Sequence, residues 1–389
     1  MTSKQTLAED GVHAMVPRER MCPSARLLRD TYAITPGARF CRQEFSYYCL
    51  EQWYEQGLSP EASLAEVFGY DPSGKYLLKD IGWCEAPFEP QYEVRIIEDR
   101  GEHEVVQDSA GRHVLYFKGR RDGFMPEYLD HPVKDWKTWE EHVKWRLDPT
   151  TTKRYEGLGS HLERVKEQAA QGMLISQRVI GGYMFLRSLI GPEQLFYMLC
   201  EASDLLHDCM RTWLGLADAI IARHQEHVTI DELYLAEDIC YRNGCLISPD
   251  MLREFLFPYY QQLITNMKRR QIDRRRHLYV QVDSDGNVAS IIPLYMKEAS
   301  LDVMSPFEVA SGCDVVKIGK AFPDLVILGG IDKRVLATSK EAIDAHIEYI
   351  FPAMRERGGY VPTCDHGVPP EVTLENYKHY RKRALELGG

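Results

Sequence analysis

Three short stretches of the chain carry side chains whose types and spacing could do chemistry. Glu237 and Asp238 are adjacent carboxylates closing the apolar run ELYLAED (232–238). Strand alternation would send them to opposite sides, one toward the mouth of a barrel and one toward a helix layer. Asp283 and Asp285 stand two apart in VDSDGN (282–287) and share a face if the strand continues. Two carboxylates on one face are costly unless a metal, a cation or a shared proton lies between them. The same DSDGN composition also suits a plain Asp-rich turn. Cys364 and His366 are again two apart, in TCDHGVPP (363–370). Thiolate and imidazole are good zinc ligands, and a catalytic zinc takes three protein ligands and keeps one position open. A zinc set drawn from Asp283, Asp285, Cys364 and His366, with Glu237 as a further candidate, is therefore one chemistry to test. The plainer reading of each is a turn cap or a hydrogen-bonded structural group.

These stretches need elements to hold them. From Met173 onward, short apolar segments alternate with amphipathic helices: strands are expected at 173–180, 232–238, 277–283, 301–306, 324–330 and 359–365. A long helix is expected over 192–227, where Leu195, Leu199, Leu206, Met210 and Ile220 follow helical spacing. A second opens at Ser248-Pro249 and runs to about Arg270. Strand, helix, strand implies a parallel sheet. The polar and glycine-rich residues gather at the carboxyl ends of several strands, which favours a (β/α)8 barrel over a doubly wound sheet. Neither GxGxxG nor GxxxxGK[ST] occurs.

The first third differs in texture. Arg39–Ser46 reads as a seventh barrel strand, 48–56 as a short helix, Tyr92–Lys118 as an antiparallel meander, and 135–146 as a helix. The eighth strand is not legible. The expected organisation is one barrel domain over 1–389, with 1–165 an N-terminal helical and β-meander extension bearing the first barrel strand and 166–389 most of the barrel. Tyr47, Tyr48, Trp53, Tyr183 and Phe307 flank strand ends and could line a pocket. The basic run Lys268–Arg270 and Arg274–Arg276 falls at the opposite end of the barrel and receives no catalytic role.

Composition narrows the function. Acidic residues outnumber basic ones 58 to 47, a net charge of -11, so nucleic acid is not an expected partner. No apolar run reaches signal-peptide or membrane-span length, and a cytoplasmic protein without membrane contact is expected. The ten cysteines show no CxxC pair, which argues against a disulfide scaffold.

The run EDICYRNGCLISPDMLREFLFPYY (237–260), with VDSDGN (282–287), SPFE (305–308), GGIDKRVLA (329–337) and GGYVPTCDHGVPPEVTLENYKHY (358–380), resembles the uroporphyrinogen decarboxylase superfamily. The likeness is dense over the later two thirds and looser through RFCRQEFSYYCLEQWYEQGL (39–58). It implies a (β/α)8 barrel and one of two activities. The decarboxylases carry an arginine-rich RQAGR motif for substrate carboxylates; this chain has none, and Arg39 and Arg42 stand there in a different context. The zinc-dependent methyltransferases carry a His-x-Cys-Gly motif and a late Cys. Here the first falls on Asp283-Ser284-Asp285-Gly286 and the second on Cys364.

The pattern is similar to the branch that demethylates methoxylated aromatic compounds, passing the methyl to the cobalt of a partner corrinoid protein. The resemblance then implies Asp283, Asp285 and Cys364 as zinc ligands and Glu237 and His366 as proton donors or orienting groups. Tyr183, Asp238 and Phe307 would contact substrate. The expected function is transfer of a methyl group from a small methoxylated substrate to a corrinoid protein. The alternatives are a uroporphyrinogen-type decarboxylase and a non-catalytic corrinoid- or tetrapyrrole-binding protein. Neither a monomer nor a homodimer is selected.

Overall fold

The computed structural model describes residue 16, residues 18–121 and residues 126–389. Seven parallel strands form its central sheet: β1 Lys75–Leu77, β2 Leu174–Ile180, β3 Glu232–Ala236, β4 Tyr279–Asp283, β5 Leu301–Ser305, β6 Val326–Leu328 and β7 Tyr360–Val361. They pair in chain order from β1 to β7. Helices fill the connections, and the sheet curls as in a (β/α)8 barrel. Six strands lie where apolar runs predict them.

The seventh does not. Arg39–Ser46 forms no strand; it is irregular, with a bend at Phe45, and just beyond it one parallel bridge joins Tyr47 to Val368. The strand beside β2 is instead Lys75–Leu77. Its three residues are too few for periodicity to register, and Lys75 is polar for a reason visible only in three dimensions. Its ammonium donates to Glu232 at 2.7 Å, inside the barrel, and to the Tyr32 hydroxyl at 3.0 Å.

The helix Pro23–Tyr32 plugs the amino-terminal end of the barrel. From it Arg29 reaches Asp231 at 3.2 Å, and Asp231 also accepts from Arg276 and from the Ile175 amide at 2.9 Å. All three charged side chains are buried. Part of the basic run is thereby structural: Arg276 neutralises a buried carboxylate, while Arg270 pairs with Asp218 and Arg275 with Asp273.

Both long helices are interrupted. The first divides at Ala202 into Pro192–Glu201 and Ser203–Gln225. The second divides at Leu256, just before Pro258, whose ring cannot continue the preceding turn. Ser248 caps it as its type predicts, accepting from the Met251 amide at 3.2 Å. The expected helix over 135–146 opens with a capping box between Asp135 and Thr138, then passes into a π-turn and a 3-10 turn. The meander has four antiparallel strands, Arg95–Arg100, His103–Gln107, His113–Phe117 and Glu127–Asp130. No helix among the described residues is long and apolar enough to cross a membrane.

Candidate active site

The carboxyl ends of β3 and β4 are pinned together. The amides of Glu237 and Asp238 both donate to the Asp283 carbonyl, at 2.9 and 3.1 Å. Register sets Asp283 beside Ala236 on one side and Ser305 on the other. Above these ends opens a cavity of about 450 Å³, of a size that suits a small organic molecule.

Three carboxylates, Asp238, Asp283 and Asp285, face it together with the His366 imidazole. Asp283 accepts from the Ser305 hydroxyl at 2.5 Å. Burial pushes its carboxyl up to about 7, the Ser305 bond opposing and the neighbouring Asp285 charge adding to the rise. Asp285 lies 3.6 Å from His366 Nε2 and raises the imidazole above its ordinary value. Phe45 and Tyr48 pack on the same ring, their centroids 5.9 and 5.8 Å away. Asp238 adopts φ +42°. Its carboxylate accepts from Arg187 at 2.6 Å.

Arg187 reaches the cavity from the helix Gly182–Ile190. Met184, Arg187 and Ser188 line the cavity at helical i, i+3, i+4 spacing. Further wall comes from Trp83, Tyr128 and His131. Burial and the Arg112 charge lower His131 to about 4, so its imidazole is neutral at pH 7. Arg112, the other cation at this wall, is held by Asp108 at 2.7 Å and Glu85 at 2.8 Å.

Sequence reasoning missed Arg187, Trp83, Arg112, Tyr128 and His131. Arg187 did leave a signal, as the lone charge in the otherwise apolar segment GYMFLRSLI. The meander residues left none, because which loop overhangs the barrel is not encoded in local pattern.

Four expected site residues lie outside this cavity. Glu237 is buried in the helix layer, where Oε2 accepts from the Tyr260 hydroxyl at 2.5 Å and Oε1 from Tyr295 at 3.1 Å. Tyr183 sits one residue before Met184, about 100° round the helix, and buries its ring away from the lining. Phe307, at φ +60°, turns into the core. Cys364 is also fully buried. The chain there is not strand: β7 ends at Val361 and residues 365–367 form a bend, so the two-residue period that would align Cys364 with His366 does not apply.

The expected zinc set therefore does not fit. Among the described residues no three His, Cys, Asp or Glu side chains converge as a metal site would require.

Glu237 has a measurable signature. Burial raises it from 4.5 to about 7, with the two tyrosine hydroxyls opposing. A carboxyl raised in the folded state favours folding below its unfolded value, and that contribution fades as pH climbs through 7. Removing the ionisable group in Glu237→Gln is expected to improve stability relative to wild type by about 2–3 kcal/mol on going from pH 5 to pH 8. Urea unfolding at the two pH values measures it, and a difference independent of pH would mean that Glu237 stays charged in the folded protein.

A model of the uroporphyrinogen decarboxylase family matches residues 123–386, about two thirds of the chain. The chain belongs to that family. Uroporphyrinogen decarboxylase from Hydrogenobaculum sp. (strain Y04AAS1) is 23% identical over 135 residues, 35% of this chain and 36% of the relative. The Geobacter metallireducens enzyme of that name is 27% identical over 141 residues, 35% of this chain and 37% of the relative. These matches span little more than a third of the curated relatives' length. A methyltransferase from Methanosarcina mazei shares the fold, with a TM-score of 0.55 at 15% identity over 93% of this chain and 98% of that chain.

Proposed function

We propose that this family member removes a methyl group from a small methoxylated aromatic compound and delivers it to a corrinoid carried by a partner protein. The observation that carries the reading is a protonatable carboxyl, Asp283, on the floor of an aromatic-walled cavity. An aryl methyl ether breaks only if its oxygen, leaving as a phenolate, is stabilised. The reduced corrinoid would supply the nucleophile that accepts the methyl.

The chain's own residues do the rest. Trp83, Tyr48 and Tyr128 give the cavity an aromatic lining suited to an aromatic ring. Asp283, near half protonated at pH 7, gives its proton to the ether oxygen as the carbon–oxygen bond breaks, and the product leaves as a neutral phenol. His366, whose imidazole Asp285 raises above its ordinary value, faces the same cavity and stabilises the negative charge as it develops. Arg187 holds the Asp238 carboxylate in place at the wall.

Decarboxylation of a porphyrinogen suits this cavity less well. Its substrate carries several carboxylates, yet Asp238, Asp283 and Asp285 crowd the floor, and both wall arginines are already paired with acids. Arg39 pairs with Asp71 instead of facing the cavity. The test is incubation of the full chain with methoxylated benzoates and chemically reduced cobalamin, following phenol release by chromatography. Phenol formed in proportion to cobalamin supports the reading. No phenol across the panel, with carbon dioxide released from a porphyrinogen, would replace it by decarboxylation. Retention of either ligand without turnover would indicate a binding protein.

A further inference from the structure

Just beyond Asp238 the chain makes a small hairpin that the proposed chemistry does not use. Cys240–Tyr241 pairs antiparallel with Gly244–Cys245, and the turn between them is Arg242–Asn243. Register sets Cys240 directly opposite Cys245. The next pair outward, Ile239 and Leu246, is hydrogen-bonded, with the Leu246 amide 3.0 Å from the Ile239 carbonyl. Ladder bonds alternate, so the cysteines occupy a non-hydrogen-bonded pair, the kind whose Cα atoms are about 4.5 Å apart and whose side chains are closest. A disulfide spans Cα separations of about 4.4–6.8 Å. The backbone is therefore already at bridging distance while both thiols are free.

The two sulfurs differ in the way a reactive pair requires. Cys240 is buried, whereas Cys245, directly opposite it, is partly exposed. Its exposure makes Cys245 the thiol an oxidant reaches first and Cys240 the resolving group, in line with the mutual influence of the two thiols, which lowers Cys245 and raises Cys240.

We propose that Cys240 and Cys245 form a redox-active dithiol that a small-molecule disulfide such as oxidised glutathione converts into a cross-strand disulfide. Cys245 thiolate attacks one sulfur of the oxidant, breaking its S–S bond and releasing one thiolate. Cys240 then attacks the mixed disulfide at the Cys245 sulfur and expels the second, its proton passing to the leaving group. Two protein thiols are oxidised and one small disulfide is reduced to two thiols. The site lies where such a change would be felt. The Ile239 and Cys240 amides both donate to Ser284 Oγ at 3.1 Å, and the Asn287 amide donates to the Tyr241 carbonyl at 2.9 Å. The hairpin is thus tied to the turn bearing Asp283 and Asp285.

The experiment equilibrates the reduced full chain in mixtures of reduced and oxidised glutathione, then alkylates, digests with trypsin and maps thiols by mass spectrometry. Trypsin cuts at Arg242, so the disulfide would appear as a linked pair of peptides. Expected are that linked pair in wild type, its loss on treatment with dithiothreitol, and unresolved glutathione on Cys245 in Cys240→Ser. Exposed Cys200 reports that the oxidant has acted. If Cys200 is glutathionylated while Cys240 and Cys245 remain alkylatable, or if Cys245 stops at the mixed disulfide in wild type, the proposal fails. Circular dichroism of Cys240→Ser and Cys245→Ser confirms that each variant compared is folded.

Discussion

Asp283→Asn is expected to lower the turnover of a methoxylated aromatic substrate by about 10²–10⁴-fold, the usual contribution of a positioned general acid. The amide is nearly the same size and can still accept from Ser305 at the Oδ1 position, so folding should be little changed. What it loses is the proton. The pH profile adds a second, independent readout. Burial holds the Asp283 carboxyl at about 7, so its acid form is present below that value and disappears above it. Wild-type kcat/KM should therefore fall as pH rises through about 7. In Asp283→Asn the residual rate should lack that descending limb. Initial rates of phenol release between pH 5.5 and 8.5 would show both effects, and a variant with wild-type turnover would remove Asp283 from the chemistry. His366→Gln makes a useful companion. Its effect should be smaller, because it stabilises charge without giving up the proton.

The largest expected loss of stability lies at the opposite end of the barrel. Asp231 is buried with two arginines on it, Arg29 and Arg276, and it also accepts the Ile175 amide. Asp231→Ala would remove the carboxylate that two buried guanidinium groups share, and breaking a buried pair in this way typically costs about 3–5 kcal/mol. The contrast is Asp218→Ala. Its partner Arg270 and Asp218 itself are each more than a quarter exposed, at 29% and 26%. Solvent screens such a pair, and its loss should cost at most about 1 kcal/mol. Equilibrium urea unfolding of the two variants compares them directly. Equal losses would show that Asp231 is solvated or that its arginines find other partners.

The aspartate and arginine cases illustrate different degrees of legibility. Asp283, Asp285 and His366 stood out in the sequence because carboxylates and an imidazole at apolar strand ends are unusual and local. The structure sets all three against one cavity, together with Asp238. Asp231 went unremarked, since a single acid before a strand looks like any turn residue. Its importance comes from Arg29, about two hundred positions earlier, and from Arg276, which looked like one member of a solvated basic run.

The parallel, barrel-like sheet was written in the sequence, because burial on both faces demands apolar runs and connecting helices demand a 3.6-residue stripe. Local chemistry also placed the Ser248 cap and most strand ends. Tertiary structure alone decided the rest. It made Lys75–Leu77 a strand and left Arg39–Ser46 irregular, since a three-residue strand has no periodicity and pairing depends on which backbone lies alongside. It sent Glu237 to two tyrosines in the helix layer and Asp238 to the cavity. It also separated Cys364 from His366, because a bend between them cancels the alternation on which a shared zinc depended. Residue spacing fixes direction only while the backbone stays regular, and active sites are built where regular strands end.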